Sequence, residues 1–304
     1  MCGIAGYIGQ TKKPSDCLIK MIQAINHRGP DSNGIWTDQE GVGLAHARLS
    51  ILDLSAAGHQ PMHSVSGNYV LIFNGEIYNH KYLRSELESI SNRNWLGHSD
   101  TETLLASIEE WGIEDTLAKV KGMFAIALWD KKSKNLFLSC DRIGEKPLYY
   151  GWVNEQFVFA SELKSIKEFP TFNNEIDRNS LAMFLRFNST PAPYSIHDNI
   201  YKLEPAQIVK IDSKPKQIQK NSFWSFEEAY KKGAMNKFSG TSKDAVNQLE
   251  NVLSDAVSSQ MQSDVPLGAF LSGGIDSSTV VALMQSFSNS KINTFTIGFN
   301  SKQF

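Results

Sequence analysis

The chain has 304 residues, 41% hydrophobic and 20% charged, with 30 basic against 32 acidic side chains for a formal net charge of −2. That length suits two domains or one large one. The charge balance gives no footprint for nucleic acid or an anionic membrane, no apolar run approaches the roughly 18 residues of a membrane span, and no basic-then-apolar leader opens the sequence.

Cys2 is the first residue that carries chemistry. A Met1 followed by a small residue is open to removal, which leaves a thiol and an α-amine on one carbon. With a pKa of about 7.7–8.0, that amine can serve as the base for the thiol, the N-terminal variant of nucleophile activation. Three cysteines, Cys2, Cys17 and Cys140, are odd in number and far apart, so they make neither a disulfide framework nor a zinc site. A reducing cytoplasm fits them; Cys17 and Cys140 read as structural. The histidines show no metal-ligand spacing, and no metal is expected at the thiol.

Residues 3–9 read as a short glycine-rich strand, and 17–25 have helical spacing with Leu18, Met21, Ile22 and Ile25 on one side. His27-Arg28-Gly29-Pro30-Asp31-Ser32 is a turn by composition. Strands are expected at 42–47, 69–73, 123–129, 136–139 and 157–160, and helices at 79–90 and 101–111, the second opened by a Ser99-x-x-Glu102 capping box. Such a pattern suggests an α+β sandwich over the first 210 residues or so. At 212–222 Lys, Gln, Ser and Pro dominate, which reads as a linker. Residues 242–261 then form a strong amphipathic helix, with Val246, Leu249, Val252, Leu253, Ala256 and Val257 on one face. A strand at 267–271, a serine-glycine turn, a helix at 275–287 and a strand at 293–298 begin a parallel βαβ unit.

Four segments carry chemistry. Phe73-Asn74-Gly75-Glu76-Ile77 ends an apolar strand; the Asn74 side-chain amide and Gly75 N–H suit the oxygen that turns negative when a thiolate attacks an amide. Asn-Gly is equally the strongest short hairpin signal. Arg48, after an apolar strand, offers a planar fork for a carboxylate, or is a structural arginine. Asp100, at a helix start, suits a substrate ammonium or a helix cap. Leu271-Ser272-Gly273-Gly274-Ile275-Asp276-Ser277-Ser278 joins a strand to a helix, a ready anion site. It lacks the Gly-Lys-Ser/Thr of a Walker loop, while its hydroxyls and Asp276 suit a pyrophosphate with magnesium.

Together these segments resemble the glutamine-hydrolysing asparagine synthetases and their relatives in surface-polysaccharide pathways. Met1-Cys2-Gly3-Ile4-Ala5-Gly6, His27-Arg28-Gly29-Pro30-Asp31, Arg48-Leu49-Ser50-Ile51, Phe73-Asn74-Gly75-Glu76-Ile77-Tyr78-Asn79, Ser99-Asp100-Thr101-Glu102, Gly122-Met123-Phe124-Ala125, the segment from Asp141 to Tyr150, Ser161-Glu162-Leu163-Lys164 and the serine-glycine loop occur in family order. The resemblance implies a class II glutamine amidotransferase: a four-layer N-terminal-nucleophile hydrolase sandwich (α/β/β/α) over residues 1–211, a linker over 212–240, and the start of a doubly wound α/β ATP-pyrophosphatase domain over 241–304. In that family the cysteine matching Cys2 attacks the side-chain amide of glutamine, and Asn74 and Gly75 match the oxyanion hole. Arg48 matches the group that binds the substrate carboxylate, Glu76 and Asp100 those that bind its ammonium, and Leu49, Ser50, Ile51 and Leu52 give backbone contacts. Positions matching Leu271, Ser272, Gly273, Gly274, Asp276, Ser277, Ser278 and Ile297 bind ATP, used with Mg2+ to activate aspartate as an acyl-adenylate, which ammonia delivered through an internal tunnel converts to asparagine. Glutamine hydrolysis itself needs no cofactor.

A doubly wound domain needs about five strands, and residues 222–304 supply two. A fragment is therefore expected, retaining the glutaminase reaction without ligase activity. Two other readings stay open: a parent protein that amidates another carboxylate, such as a uronic acid in polysaccharide assembly, and a non-catalytic remnant whose apolar surface binds a partner. No nucleic-acid or membrane partner is expected, and the oligomeric state, a homodimer included, is left open.

Overall fold

A computed structural model describes residues 1–38, 41–212 and 217–298. The chain divides into two compact units, residues 1–228 and 229–304. The first begins with β1 (Gly3–Ile8), α1 (Pro14–Gln23), β2 (Ser32–Thr37), β3 (Val42–Arg48), β4 (Met62–His63) and β5 (Tyr69–Ile77). Next come α2 (His80–Ile90), α3 (Asp100–Trp111), α4 (Ile113–Lys119), β6 (Gly122–Asp130), β7 (Asn135–Cys140), β8 (Tyr149–Val153) and β9 (Gln156–Ala160). It closes with α5 (Leu163–Lys167), α6 (Arg178–Phe187), β10 (Ile200–Lys202), β11 (Gln207–Asp212) and β12 (Ile218–Ser222), and α7 (Phe226–Met235) leads onward. No helix among the described residues is long and apolar enough to cross a membrane.

Among the described residues, twelve strands form two antiparallel sheets, ordered β10-β8-β9-β1-β3-β2 and β12-β11-β7-β6-β5-β4. Strand alternation sends every second side chain to each face, and here both faces are covered. Ile4, Val42, Leu44, Val70, Ile72, Ala127 and Trp129 meet between the sheets. Ala5, Tyr7, Ala45, Ala47 and Val158 face Leu18, Met21 and Ile22 of α1 and Ile166 of α5. Leu71, Phe73, Phe124, Ile126 and Leu128 face Leu83 of α2, Leu104, Leu105 and Ile108 of α3 and Leu117 of α4. The result is a helix–sheet–sheet–helix stack, and it explains why β5 and β6 are nearly continuous apolar runs.

One open alternative is decided, one expectation changes and several elements are added. Asn74-Gly75 does not turn the chain: β5 continues to Ile77, paired with β6 so that Asn74 faces Ala125 and Gly75 faces Phe124. Pairing with β6 on one side outweighs the local turn preference. The stretch read as a linker contains β12, which pairs with β11 from Ile211–Ile218 to Gln207–Ser222. As an edge strand it is allowed polar residues, and Ile218 alone packs on the inter-sheet core; residues 213–216 of that stretch lie outside the described residues. Strands β2, β8, β10 and β11 and helices α4 to α7 add to the elements legible in the sequence.

In the second unit α8 (Ser242–Ser259) starts from a capping box in which the Thr241 side chain accepts from Asp244 N–H and the Asp244 carboxylate accepts from Thr241 N–H. After it, β13 (Gly268–Phe270) and β14 (Asn293–Phe295) pair in parallel, with α9 (Ile275–Phe287) connecting them. Both strands are three residues long, shorter than expected.

Candidate active site

At one end of the sandwich the inner faces of three strands turn polar. Stepping by two residues, the inward-facing apolar series runs from Ile4 to Cys2, from Leu44 to His46 and Arg48, and from Ile72 to Asn74 and Glu76. β1 and β3 both pack over β5, so these polar positions converge. A cleft of about 70 Å³ lies there, lined by Cys2, Arg48, Leu49, Ile51, Leu52, Asn74, Gly75, Glu76 and Asp100. Ser50 does not line it; its N–H donates to Asp31 Oδ2 at 2.7 Å. The cleft also holds groups the sequence reading assigned no role, among them Gln60, Thr101, Met123 and Lys146. Gln60 sits in a glycine- and proline-punctuated loop, a weak signal, and Lys146 lies within a quoted motif.

The Cys2 thiol is held at the loop after β3. Leu49 N–H donates to Cys2 Sγ at 3.3 Å, and Sγ lies 3.6 Å from Leu49 O. Burial pushes the thiol above its ordinary pKa, while the Leu49 N–H and the nearby chain-terminal amine act in the opposite direction. That amine, on Met1, is pushed down by burial, with Arg28 and Lys146 contributing in the same sense. Arg28 Nε donates to Cys2 O at 2.9 Å, and its Nη1 pairs with Glu162 at 2.9 Å. Although burial acts against it, hydrogen bonds from Arg28 and Lys164 hold the Glu162 carboxyl below its usual range.

Asn74 is 1% exposed, and neither Nδ2 nor Oδ1 has a hydrogen-bond partner among the described residues. A buried, unpaired amide is costly, and this one lines a cleft. Gly75 is required by close approach: a Cβ there would lie 2.1 Å from Met123 O. Its peptide direction follows from its neighbours. Phe73 N–H goes to Gln60 Oε1 and Ile77 N–H to Asp100 Oδ2, so by strand alternation the Gly75 N–H points out of the same edge of β5, away from β6.

Charges of both signs surround these groups. Arg48 donates from Nη1 to Ser55 O at 3.0 Å and from Nη2 to Asp53 O. Gly58 makes room for it, since a Cβ would lie 2.2 Å from Arg48 Nη2. Burial raises the Asp100 carboxyl to about 6 despite bonds from backbone N–H groups. Burial and the neighbouring Asp100 raise Glu76 to about 7, with Lys146 opposing. Lys146 is itself buried, its ammonium 3.0 Å from Met1 Sδ. Its loop is organised by Asp141, whose carboxylate accepts from Phe124, Ile143, Glu145 and Lys146 N–H groups.

In the second unit, Leu271 and Ile297 follow the carboxyl ends of β13 and β14; Leu271 N–H donates to Phe295 O at 2.9 Å and Thr296 Oγ1 to Leu271 O at 2.6 Å. Gly273 takes φ +80°, with open space where a Cβ would stand, and Gly274 caps α9. Asp276 falls in the first turn of α9, and the Ser272 and Ser277 hydroxyls lie 3.0 Å apart.

Two stacked antiparallel sheets between helical layers, with a thiol at the polar end of their shared face, define an N-terminal-nucleophile hydrolase fold. Residues 1–224 match the family described as glutamine amidotransferase domain, and residues 248–304 match asparagine synthase. The chain belongs to the glutamine amidotransferase domain family. It is similar to putative asparagine synthetase [glutamine-hydrolyzing] 2 of Methanocaldococcus jannaschii, 38% identical over 99% of this chain and 60% of that one. Asparagine synthetase [glutamine-hydrolyzing] 1 of Bacillus subtilis is 37% identical over 100% of this chain and 47% of its own length. The chain thus spans about half to three-fifths of these relatives. Among solved structures, glutamine phosphoribosylpyrophosphate amidotransferase from B. subtilis, complexed with ADP and GMP, superposes with a TM-score of 0.56 at 18% identity, over 73% of this chain and 49% of that one; the likeness establishes the fold.

Proposed function

We propose that the first unit hydrolyses free glutamine to glutamate and ammonia, with Cys2 as the nucleophile. One observation carries this reading: a single cleft brings together the Cys2 thiol, an unpartnered Asn74 amide and charged groups of both signs. Glutamine is a zwitterion with a neutral amide at its far end, so its recognition needs a cation, anions and an amide-reactive centre together. Arg48 takes the α-carboxylate through donors left free by its two carbonyl partners, and Glu76 and Asp100 take the ammonium. Leu49, Ile51 and Leu52, which line the cleft, contribute backbone contacts, whereas Ser50, turned to Asp31, contributes none.

Once Met1 is removed, the α-amine of Cys2 accepts the thiol proton as Sγ bonds to the amide carbon. The oxygen that becomes negative accepts from Asn74 Nδ2 and Gly75 N–H. Collapse of the intermediate breaks the C–N bond, and the α-ammonium returns its proton to the departing ammonia. Water then cleaves the thioester to glutamate, with the same amine as base. This scheme draws on no cofactor.

For the whole protein we read a glutamine-hydrolysing asparagine synthetase, in which the ammonia amidates aspartate activated by ATP. Ser272, Gly273, Gly274, Asp276, Ser277 and Ser278 fit a magnesium-bound pyrophosphate, because the positive φ of Gly273 and the start of α9 expose N–H groups beside hydroxyls. Leu271 and Ile297 stand at strand carboxyl ends, where nucleotides bind in such folds. Three free thiols suit a cytoplasmic setting.

The test is glutamate release from glutamine by the full chain, with Met1 removal verified by mass spectrometry, beside Cys2→Ala. Activity is expected only in processed, thiol-bearing molecules. Undiminished hydrolysis by Cys2→Ala overturns the reading.

A further inference from the structure

The free edge of β5 is closed by side chains on both sides of Gly75. Phe73 N–H donates to Gln60 Oε1 at 2.6 Å, and His46 Nε2 lies 3.0 Å from Phe73 O. Two residues beyond Gly75, Ile77 N–H donates to Asp100 Oδ2 at 2.8 Å. Gln60 extends the link, because its Nε2 donates to Thr101 Oγ1 at 3.3 Å. It therefore ties β5 to the start of α3, the helix that carries Asp100. Both of its polar atoms are engaged, Oε1 with β5 and Nε2 with α3, although it lines the cleft.

His46 reaches Phe73 from β3, in the opposite sheet. The ring is fully buried, which pushes it down to about 3 and keeps it neutral. With a carbonyl as partner, a neutral imidazole must carry its proton on Nε2 and donate. The two peptide planes flanking Phe73 are thus fixed separately, the earlier one by Gln60 and the later one by His46. Those planes set the direction in which the chain enters Asn74 and Gly75.

We propose that Gln60 and His46 are positioning residues for the oxyanion site, holding the Phe73 peptide groups so that the Asn74 amide and Gly75 N–H converge on the carbonyl of a bound amide. The proposal rests on the reading of Cys2 as a glutaminase nucleophile. It separates positioning from nucleophile reactivity, since the hydrogen bonds of Gln60 and His46 go to Phe73 and Thr101 and not to the thiol or the amine.

The experiment uses the processed full chain and two readouts. One is steady-state glutamate release; the other is alkylation of Cys2 by iodoacetamide, followed by mass spectrometry of the N-terminal peptide. Iodoacetamide reacts at a methylene carbon and forms no oxyanion at a tetrahedral centre. In Gln60→Met, kcat is expected to fall about 10- to 100-fold with KM within about threefold, the scale of a misplaced catalytic group, while alkylation stays within about twofold. Gln60→Glu keeps an oxygen for Phe73 N–H and is expected to recover kcat to within about fivefold of wild type. An unchanged kcat in Gln60→Met, or alkylation that falls in parallel with it, overturns the inference. If Gln60→Met does not fold, Thr101→Val is measured instead, with a kcat fall of about three- to tenfold expected from partial loss of the same link; unchanged kcat there overturns it equally. Wild-type protein that is processed yet releases no glutamate defeats the functional reading itself, whereas an active wild type beside a Gln60→Met of unchanged kcat defeats this inference alone.

Discussion

Replacing Asn74 by leucine should separate catalysis from stability. The two side chains have nearly the same branched shape, and Asn74 is 1% exposed with both amide atoms unpartnered. In the unfolded chain those atoms are hydrated, so folding costs about 1–3 kcal/mol for leaving them unsatisfied. The leucine removes that cost and loses no internal hydrogen bond. It also removes one oxyanion donor, worth about 10²–10³ in kcat, or roughly 2.7–4 kcal/mol of transition-state stabilisation. The expected result is a kcat lower by about 10²–10³, KM changed by less than about threefold because the amide acts mainly on the transition state, and a first thermal transition that is unmoved or raised by about 2–4 °C per kcal/mol recovered. Glutamate release and differential scanning calorimetry measure the two effects. A kcat within about tenfold of wild type, or a transition lowered by several degrees, would mean that Asn74 holds structure and stabilises no oxyanion.

The acidic pair predicts a pH dependence of binding. Glu76 is raised to about 7 and Asp100 to about 6, so both are ionised only above those values, and an ammonium group binds best there. KM for glutamine should therefore fall as pH rises from 5.5 to 8, by up to about tenfold per unit near each pKa; a flat KM across that range would remove both carboxylates from the ammonium site. Gly75→Ala places a Cβ 2.1 Å from Met123 O and 2.6 Å from Phe124 Cα. Both obstacles are backbone of β6, so the strands must part, and a loss of about 3 kcal/mol or failure to fold is expected. Wild-type stability in urea denaturation would contradict the β5–β6 register.

The layered fold was legible where apolar periodicity is strong. Leu18, Met21 and Ile22 marked α1, and the runs at 69–73 and 123–129 marked β5 and β6. Short or polar elements were not. β12 has exposed Gln219, Lys220, Asn221 and Ser222 along a sheet edge, and an edge strand with one anchoring apolar residue resembles a loop in composition. β2, with its Asn33 and Gly34, is the other sheet's edge and reads the same way. The candidate site residues were singled out from motif order across the whole chain, since Arg48, Asn74 and Asp100 each have an ordinary structural reading alone. Gln60 and His46 stayed unassigned because their partners are backbone groups of a distant strand, and such pairings leave no mark in a local pattern.

The Asn-Gly pair shows why local rules fail at a position read as part of the site. A two-residue turn there would have ended β5 at Phe73 and left Asn74 in solvent; continued pairing with β6 carries it on to Ile77. The cost of burying an unpaired amide is borne by the apolar positions before it, Val70 and Ile72 on one face and Leu71 and Phe73 on the other. Donors built into a paired strand are held more rigidly than donors on a loop. Arg48 also belongs to a strand, but its guanidinium is held by the Asp53 and Ser55 carbonyls of the loop that follows. The cleft thus joins parts of unequal stiffness. The groups read as stabilising the transition state are fixed by sheet pairing, whereas the group read as gripping the amino acid depends on loop carbonyls, so a substitution in residues 53–58 should change KM before it changes kcat.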